Sequence, residues 1–221
     1  MSALKMVYYG LLGLNLLVLA FAYKSLEKRH KVFLPLIVFV ITIQVAADIL
    51  KAKGLTYYFL FHIYVPIEYI LLSVYFSLLF MSRPARMWLL ISNIVLSAFC
   101  IAYYYMRPSF WQPDYSHFVI SAIFISTTVI LFFIKLFKNE EHIDLIRYPD
   151  FWINTGNLFF YAGCVFVMGL HFSLRGKNQT LADNLLKINN YLNLLLYLFY
   201  LIGFAWTRMN RISSRLSLRG R

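Results

Sequence analysis

A glutamate in the middle of an apolar run is the first residue whose type and place suggest chemistry. Glu68 stands at the midpoint of residues 56–80, whose central part reads HIYVPIEYILLSVYF from His62 to Phe76. An ionised side chain at the centre of a membrane helix costs at least about 2.5–3.5 kcal/mol. Glutamate is too short to reach the headgroups from that depth. It must face protein or water, pair with another group, or carry a proton. Tyr64 lies one helical turn earlier and falls on the same face. Pro66 has no N–H to give the carbonyl of His62, so that acceptor is released. His62 itself is about 240° round an ideal helix from Glu68. A bend at Pro66 is needed to bring the two into one pocket. The plainer reading makes Glu68 a protonated hydrogen-bonding link between helices and Pro66 a simple kink.

A second constellation lies near the C-terminal end. Asp150, Asn154, Asn157, Tyr161, Cys164 and His171 follow at intervals of 4, 3, 4, 3 and 7, with Met168 in the gap. That spacing keeps them on one stripe of a helix. Asn190, Asn193, Tyr197 and Tyr200, at intervals of 3, 4 and 3, repeat the pattern in the last apolar stretch. Gln44 and Asp48 add an i, i+4 pair in the second stretch. A polar stripe on a membrane helix faces the bundle interior. The expectation is a polar intramembrane site between spans 2, 3, 6 and 7. Its candidate ligand- or ion-binding residues are Glu68, His62, Tyr64, Asp48, Asn154, Asn157, Tyr161, His171, Asn193 and Tyr197. Gly156, Gly163 and Gly169 lie on other faces of span 6 and would admit a close neighbour. In the plainer reading Asp150 and Trp152 mark an interface, the asparagines bridge helices and Asp48 is a solvated end charge. Asn15 stands as an isolated polar residue in span 1.

These residues sit in an all-α framework dictated by composition. Of 221 residues, 61% are hydrophobic and 14% charged. Soluble domains average about 45–50% and 25%. A soluble fold of this length cannot hide so much apolar surface. Seven apolar stretches are read, at 6–23, 32–50, 56–80, 87–105, 117–137, 151–172 and 186–206. Each approaches or exceeds the roughly 20 residues that cross the hydrocarbon core. Helices are expected because lipid offers backbone polar groups no partner, and strict two-residue alternation is absent. The gaps between spans leave no room for a soluble catalytic domain, so residues 1–206 form one transmembrane domain and 207–221 a basic tail.

Cations set the expected orientation. One side carries 14 Lys and Arg, in the loop at Lys24–Lys31, at Arg83 and Arg86, at Lys135, Lys138 and Arg147, and in the tail at Arg208, Arg211, Arg215, Arg219 and Arg221. The other carries 7: Lys5, Lys51, Lys53, Arg107, Arg175, Lys177 and Lys187. The richer side is expected to be cytoplasmic, with the N-terminus out and the C-terminus in. Ala20-Phe21-Ala22 has the small-x-small form of a cleavage site, but the four cations that follow favour retention of span 1. The formal charge of +12 reflects these flanks, which meet anionic headgroups, and nucleic acid is not an expected partner. The tail's arginines at 208, 211, 215 and 219 share a stripe, as in an amphipathic segment on the inner leaflet. A cytoplasmic protein partner or a homo-oligomer is a further expectation. Aromatics at span ends, among them Tyr57, Tyr58, Trp111 and Trp152, read as interfacial belts.

Known catalytic signatures are missing. There is no G-x-S-x-G, P-loop, dinucleotide fingerprint or HExxH. Seven helices invite comparison with microbial rhodopsins, but the lysine of the last span, Lys187, lies at its edge, so no retinal is expected. Only His62 and His171 lie clearly inside spans, which does not supply the three-histidine zinc site of the alkaline ceramidase and adiponectin-receptor superfamily. Cys100 and Cys164 have no metal-ligand spacing. No metal or cofactor is expected. The stretches HIYVPIEYILLSVYF (62–76) and PDFWINTG (149–156) resemble segments of small multi-pass inner-membrane proteins of Bacteroidota-type bacteria. The resemblance covers a small part of the chain. It implies an inner (plasma) membrane location and transfers no catalytic residue. Three functions remain open: a sensor or receptor-like protein, a transporter or channel using Glu68, and an intramembrane enzyme acting on lipid through Glu68, Asp150 and the histidines.

Overall fold

The computed structural model describes residues 3–80, 82–106, 115–138, 144–174 and 177–219. Arg107, Trp111, Arg175 and Arg221 therefore lie outside the described residues. The chain is all-helical: α1 (Ala3–Ala22), a short α2 (Lys28–Lys31), α3 (Phe33–Ala52), α4 (Tyr58–Leu79), α5 (Arg83–Met106), α6 (Ser116–Lys138), α7 (Pro149–Leu174) and α8 (Gln179–Arg219). Among the described residues, seven helices are long and apolar enough to cross a membrane: Ala3–Ser25, Lys28–Ala52, Tyr58–Leu79, Arg83–Tyr103, Ser116–Lys138, Pro149–His171 and Lys187–Thr207. This is a polytopic membrane protein, and the seven stretches read from composition coincide with seven helices.

Local chemistry ends and starts several helices. After α3, Gly54 adopts a φ of 70°, a conformation that costs a side-chain-bearing residue. Gly54 N–H then bonds Lys51 O at 3.1 Å and Leu55 N–H bonds Leu50 O at 2.9 Å, the paired closure of a Schellman cap. Asn178 caps α8 by accepting from Leu181 N–H at 3.0 Å. Pro149 opens α7, where a missing N–H is harmless. Pro66 is accommodated inside α4, which continues on both sides of it.

Two compact units account for the chain: Met1–Glu27 with Ser126–Arg221, and Lys28–Ile125. The first is organised by α8, which packs extensively on α7 and also on α1. The α7–α8 seam is lined by glycine. A Cβ at Gly156 would lie 2.8 Å from Phe199 Cβ and 3.3 Å from Leu196 O. One at Gly203 would lie 2.8 Å from Ile153 Cγ1 and 3.0 Å from Pro149 O. Gly163 meets only the flexible end of Leu192, and Gly169 has open space. Gly156 and Gly163 thus serve the close approach expected of them, whereas Gly169 does not. Gly203, on the opposing helix, joins them. Close approach matters here because lipid supplies no hydrophobic drive between helices, so van der Waals contact must hold them. Trp152 and Phe159 both stack on Phe199, with ring centroids 5.9 and 6.1 Å away.

The last helix extends well beyond the last apolar stretch. Residues 207–219, read as a basic tail with an amphipathic arginine stripe, continue the helix of the last span, because α8 runs unbroken from Gln179 to Arg219. Its 41 residues amount to about 62 Å at 1.5 Å per residue, twice the roughly 30 Å hydrocarbon core. No proline or glycine follows Gly203 before Arg219, so no local breaker stops it.

In the second unit, α4 packs against α2, α3 and α5. Phe33 of α3 meets Tyr75 edge-on at 4.9 Å, and Phe39 stacks on Tyr64 at 5.9 Å. Tyr69 donates to Ser92, tying α4 to α5. The basic segment read as a loop after span 1 forms α2, and its His30 is wholly buried.

The glycine seam gives a graded expectation. Gly156→Ala and Gly203→Ala should destabilise the protein by about 1–3 kcal/mol, because each new methyl meets backbone or a Cβ that cannot swing away. Gly163→Ala should cost less. Gly169→Ala should be neutral or stabilise by about 0.5–1 kcal/mol through helix propensity. Reversible unfolding in mixed micelles checks the order.

Candidate functional site

Polar side chains gather at two places, one in each unit. In the first unit, the stripe read along span 6 is real in space. Asp150, Asn154 and Asn157 of α7 are each 0% exposed, Tyr161 and Cys164 are buried beside them, and His171 is buried in the last turn. The stripe lies next to the glycine seam, so its inner edge reaches α8. Tyr200 O–H donates to Asn157 Oδ1 at 2.5 Å. Cys164 Sγ–H donates to Asn189 Oδ1 at 3.0 Å. Asn154 Nδ2 donates back to Asp150 O at 2.8 Å, within the helix. Asn157 Nδ2 is buried and meets no hydrogen-bond partner.

The α8 side matches its expectation only in part. Tyr197 and Tyr200 are buried, with ring centroids 6.0 Å apart. Asn193 is half-buried and donates to Asn189 O of its own helix at 3.0 Å. Asn190 is exposed and does not belong to the inner face. Asn189 takes that role instead, because it falls nearer the face of α8 that carries Leu192, Leu196 and Gly203 against α7. A spacing rule anchored on Tyr200 did not separate the two neighbouring asparagines.

A contributor from α1 also escaped the sequence reading. Asn15 of α1 is wholly buried, not an isolated polar residue on a lipid-facing helix. Its Nδ2 donates to Leu11 O at 2.8 Å and across to Tyr197 O of α8 at 2.9 Å, while its Oδ1 is buried without a partner. A lone asparagine amid Leu12, Leu16 and Leu19 carries no periodic signal, so only packing reveals its partner. The Tyr8 ring meets Tyr197 edge-on at 5.7 Å beside this contact.

In the second unit, Glu68 is 4% exposed near the middle of α4. Tyr64 donates to its Oε1, as their i, i+4 spacing predicts. His62 is also buried, but its ring lies against His117 of α6, with centroids 4.9 Å apart. His117, at the start of its span, was not among the candidates. Phe118, next to His117, lies 6.0 Å from Phe61, so two adjacent pairs link α4 to α6. Asp48 and Gln44 are half-buried, Asp48 one turn before the end of α3.

The donor set bears on chemistry. Among the described residues, no three His, Cys, Asp or Glu side chains lie close enough to hold a metal together. The α7 face offers instead one carboxylate, amides and phenols: groups that recognise by hydrogen bonding and charge.

The Tyr200–Asn157 bond permits a sharp test. Tyr200→Phe strips the donor from a buried amide oxygen and should cost about 1–3 kcal/mol. Adding Asn157→Leu should recover part of that loss, since an apolar pair leaves no orphaned group. A double-mutant cycle on unfolding free energy measures the coupling, and additive losses would show the bond to be inert. No protein-family model matches the sequence, and no curated protein or solved structure is significantly similar to it.

Proposed function

We propose that the chain is a membrane sensor or receptor-like protein, with the polar face of α7 against α8 as its responsive element. The observation that supports this reading is the complete burial of Asp150, Asn154 and Asn157 on one face of a membrane-spanning helix. Apolar side chains would pack that face at lower cost, because burying a carboxylate and two amides forfeits their hydration. A binding function explains why the polar groups are there. The neighbouring glycine seam lets small shifts of α7 pass directly to α8, and α8 continues 12 residues past Thr207, where its membrane span ends. With the N-terminus outside and the C-terminus inside, that extension enters the cytoplasm carrying Arg208, Arg211, Arg215 and Arg219. It would meet anionic headgroups of the inner (plasma) membrane, a cytoplasmic protein or a second copy of the chain.

A second reading, a small transporter or proton channel, draws on Glu68. Its burial near the centre of α4, hydrogen-bonded to Tyr64, suits a proton-carrying group.

Two measurements separate these readings. For the sensor, small polar ligands should shift the melting temperature of the purified protein, and Asn157→Leu should remove the shift. Crosslinking in membranes should capture a partner through the basic extension. If no ligand shifts the melt and no partner is captured, the sensor reading falls. For the transporter, proteoliposomes should show flux that Glu68→Gln abolishes, and flux that is absent or indifferent to the substitution removes it.

A further inference from the structure

We propose that α8 pairs with the α8 of a second copy of this chain, along a heptad-spaced seam that runs from the membrane span into the basic extension. The inference names the partner of that extension. It rests on the sensor reading for what the pairing would transmit, not for the pairing itself.

The first argument is spacing. From Leu181 to Arg219, steps of 3 and 4 residues in alternation mark the a and d sites of a heptad repeat. The six a sites are Leu181, Ile188, Leu195, Ile202, Met209 and Leu216, all apolar. The d sites begin at Asn184 and end at Arg219, and the four between them are apolar as well. Within the span such a pattern carries little weight, because most residues there are apolar. Beyond Thr207 it carries more. Residues 208–219 hold four apolar residues, and three of them, Met209, Ile212 and Leu216, keep the phase set inside the span. A sustained 3.5-residue period belongs to a coiled coil rather than to a lone helix.

The second argument is what the rest of the chain leaves open. The neighbours of α8 meet its other side: α7 at Leu196 and Gly203, and α1 at the Tyr197 carbonyl. The seam faces away from them. Tyr191 is 61% exposed and Met209 55%. Among the a and d sites from Leu181 to Met209, none is buried.

The third argument is direction. No glycine or proline lies between Gly203 and Arg219, so no local breaker bends α8 onto the bilayer surface. Leu216 stands nine residues past Thr207, where the membrane span ends. That is about 14 Å along the axis, against a headgroup layer about 5–8 Å deep. Lipid therefore does not cover the far end of the seam, and a second α8 does. Two copies in one membrane share an orientation, so their last helices meet in parallel. In that register the g site Arg208 lies opposite the e site Ser213 of the other copy, which sets no like charges together. Arg219, at a d site, marks where the seam ends. A surface that pairs with itself closes at two copies.

Disulfide crosslinking of the full-length protein in its membrane tests the proposal. Met209→Cys, Ile212→Cys and Leu216→Cys should form dimers several-fold faster than Asn210→Cys, Arg211→Cys and Ser214→Cys. The unsubstituted chain, with Cys100 and Cys164, sets the baseline. Equal yields at all six positions, or none above baseline, overturn the proposal. Native mass spectrometry of the unmodified protein gives a second readout. A two-chain species that Ile212→Glu converts to single chains supports the pairing, and single chains throughout overturn it. If the extension captures another protein and ligands shift the melt while no dimer forms, the pairing falls and the sensor reading stands. If the heptad pattern appears and no ligand shifts the melt, the pairing stands without a sensing role.

Discussion

The hydrocarbon core of a bilayer offers no hydrogen-bond partners, and the helices and polar contacts of this protein answer to that fact. Backbone groups must find partners within the chain, which selects helices. Polar side chains must do the same. Thr42 donates to Val38 O, Asn93 to Leu89 O and Thr207 to Gly203 O, each within its own helix at 2.8, 2.8 and 3.0 Å. Where a side chain cannot be satisfied locally, it crosses to another helix, as Asn15 does to α8 and Tyr69 to α5. Such bonds are worth about 0.6 kcal/mol on average in membranes. They specify neighbours more than they hold them.

Cohesion comes from close contact, and α7 with α8 is the clearest case. Gly156 and Gly203 let backbone approach side chain and backbone approach backbone. The polar stripe sits beside this seam, not within it. That division explains how one helix can be packed tightly on one face and carry buried amides on the next. Asn157 and Cys164, at the margin between the two faces, both bond to α8.

Much of the fold was legible because the signals are local or periodic. Span lengths follow from composition. The Tyr64–Glu68 bond follows from helical spacing alone. The stripe from Asp150 to His171 was legible for the same reason. Periodicity could not choose between Asn189 and Asn190, since adjacent residues differ by only about 100° and the direction of the neighbour was unknown. It could not find His117, which sits at a span edge, or see that His62 turns to it. The arginine stripe after Thr207 was legible as helical, but periodicity could not tell that it continues the helix of the last span without a break.

The amino-acid sequence by itself determined that this is a seven-helix membrane protein with polar faces on α4, α7 and α8. Apolar length and 3.6-residue periodicity are properties of a helix taken alone. Tertiary structure alone decided which polar groups meet: Asn15 with the Tyr197 carbonyl, Tyr200 with Asn157, His62 with His117. It also decided that Asp150, in the first turn of α7, is wholly buried within the protein. The physical reason is that partners on different helices are separated by as many as 182 residues of sequence. Their meeting depends on helix rotation and close approach, which Gly156 and Gly163 foreshadow but which Gly203, on the facing helix, completes.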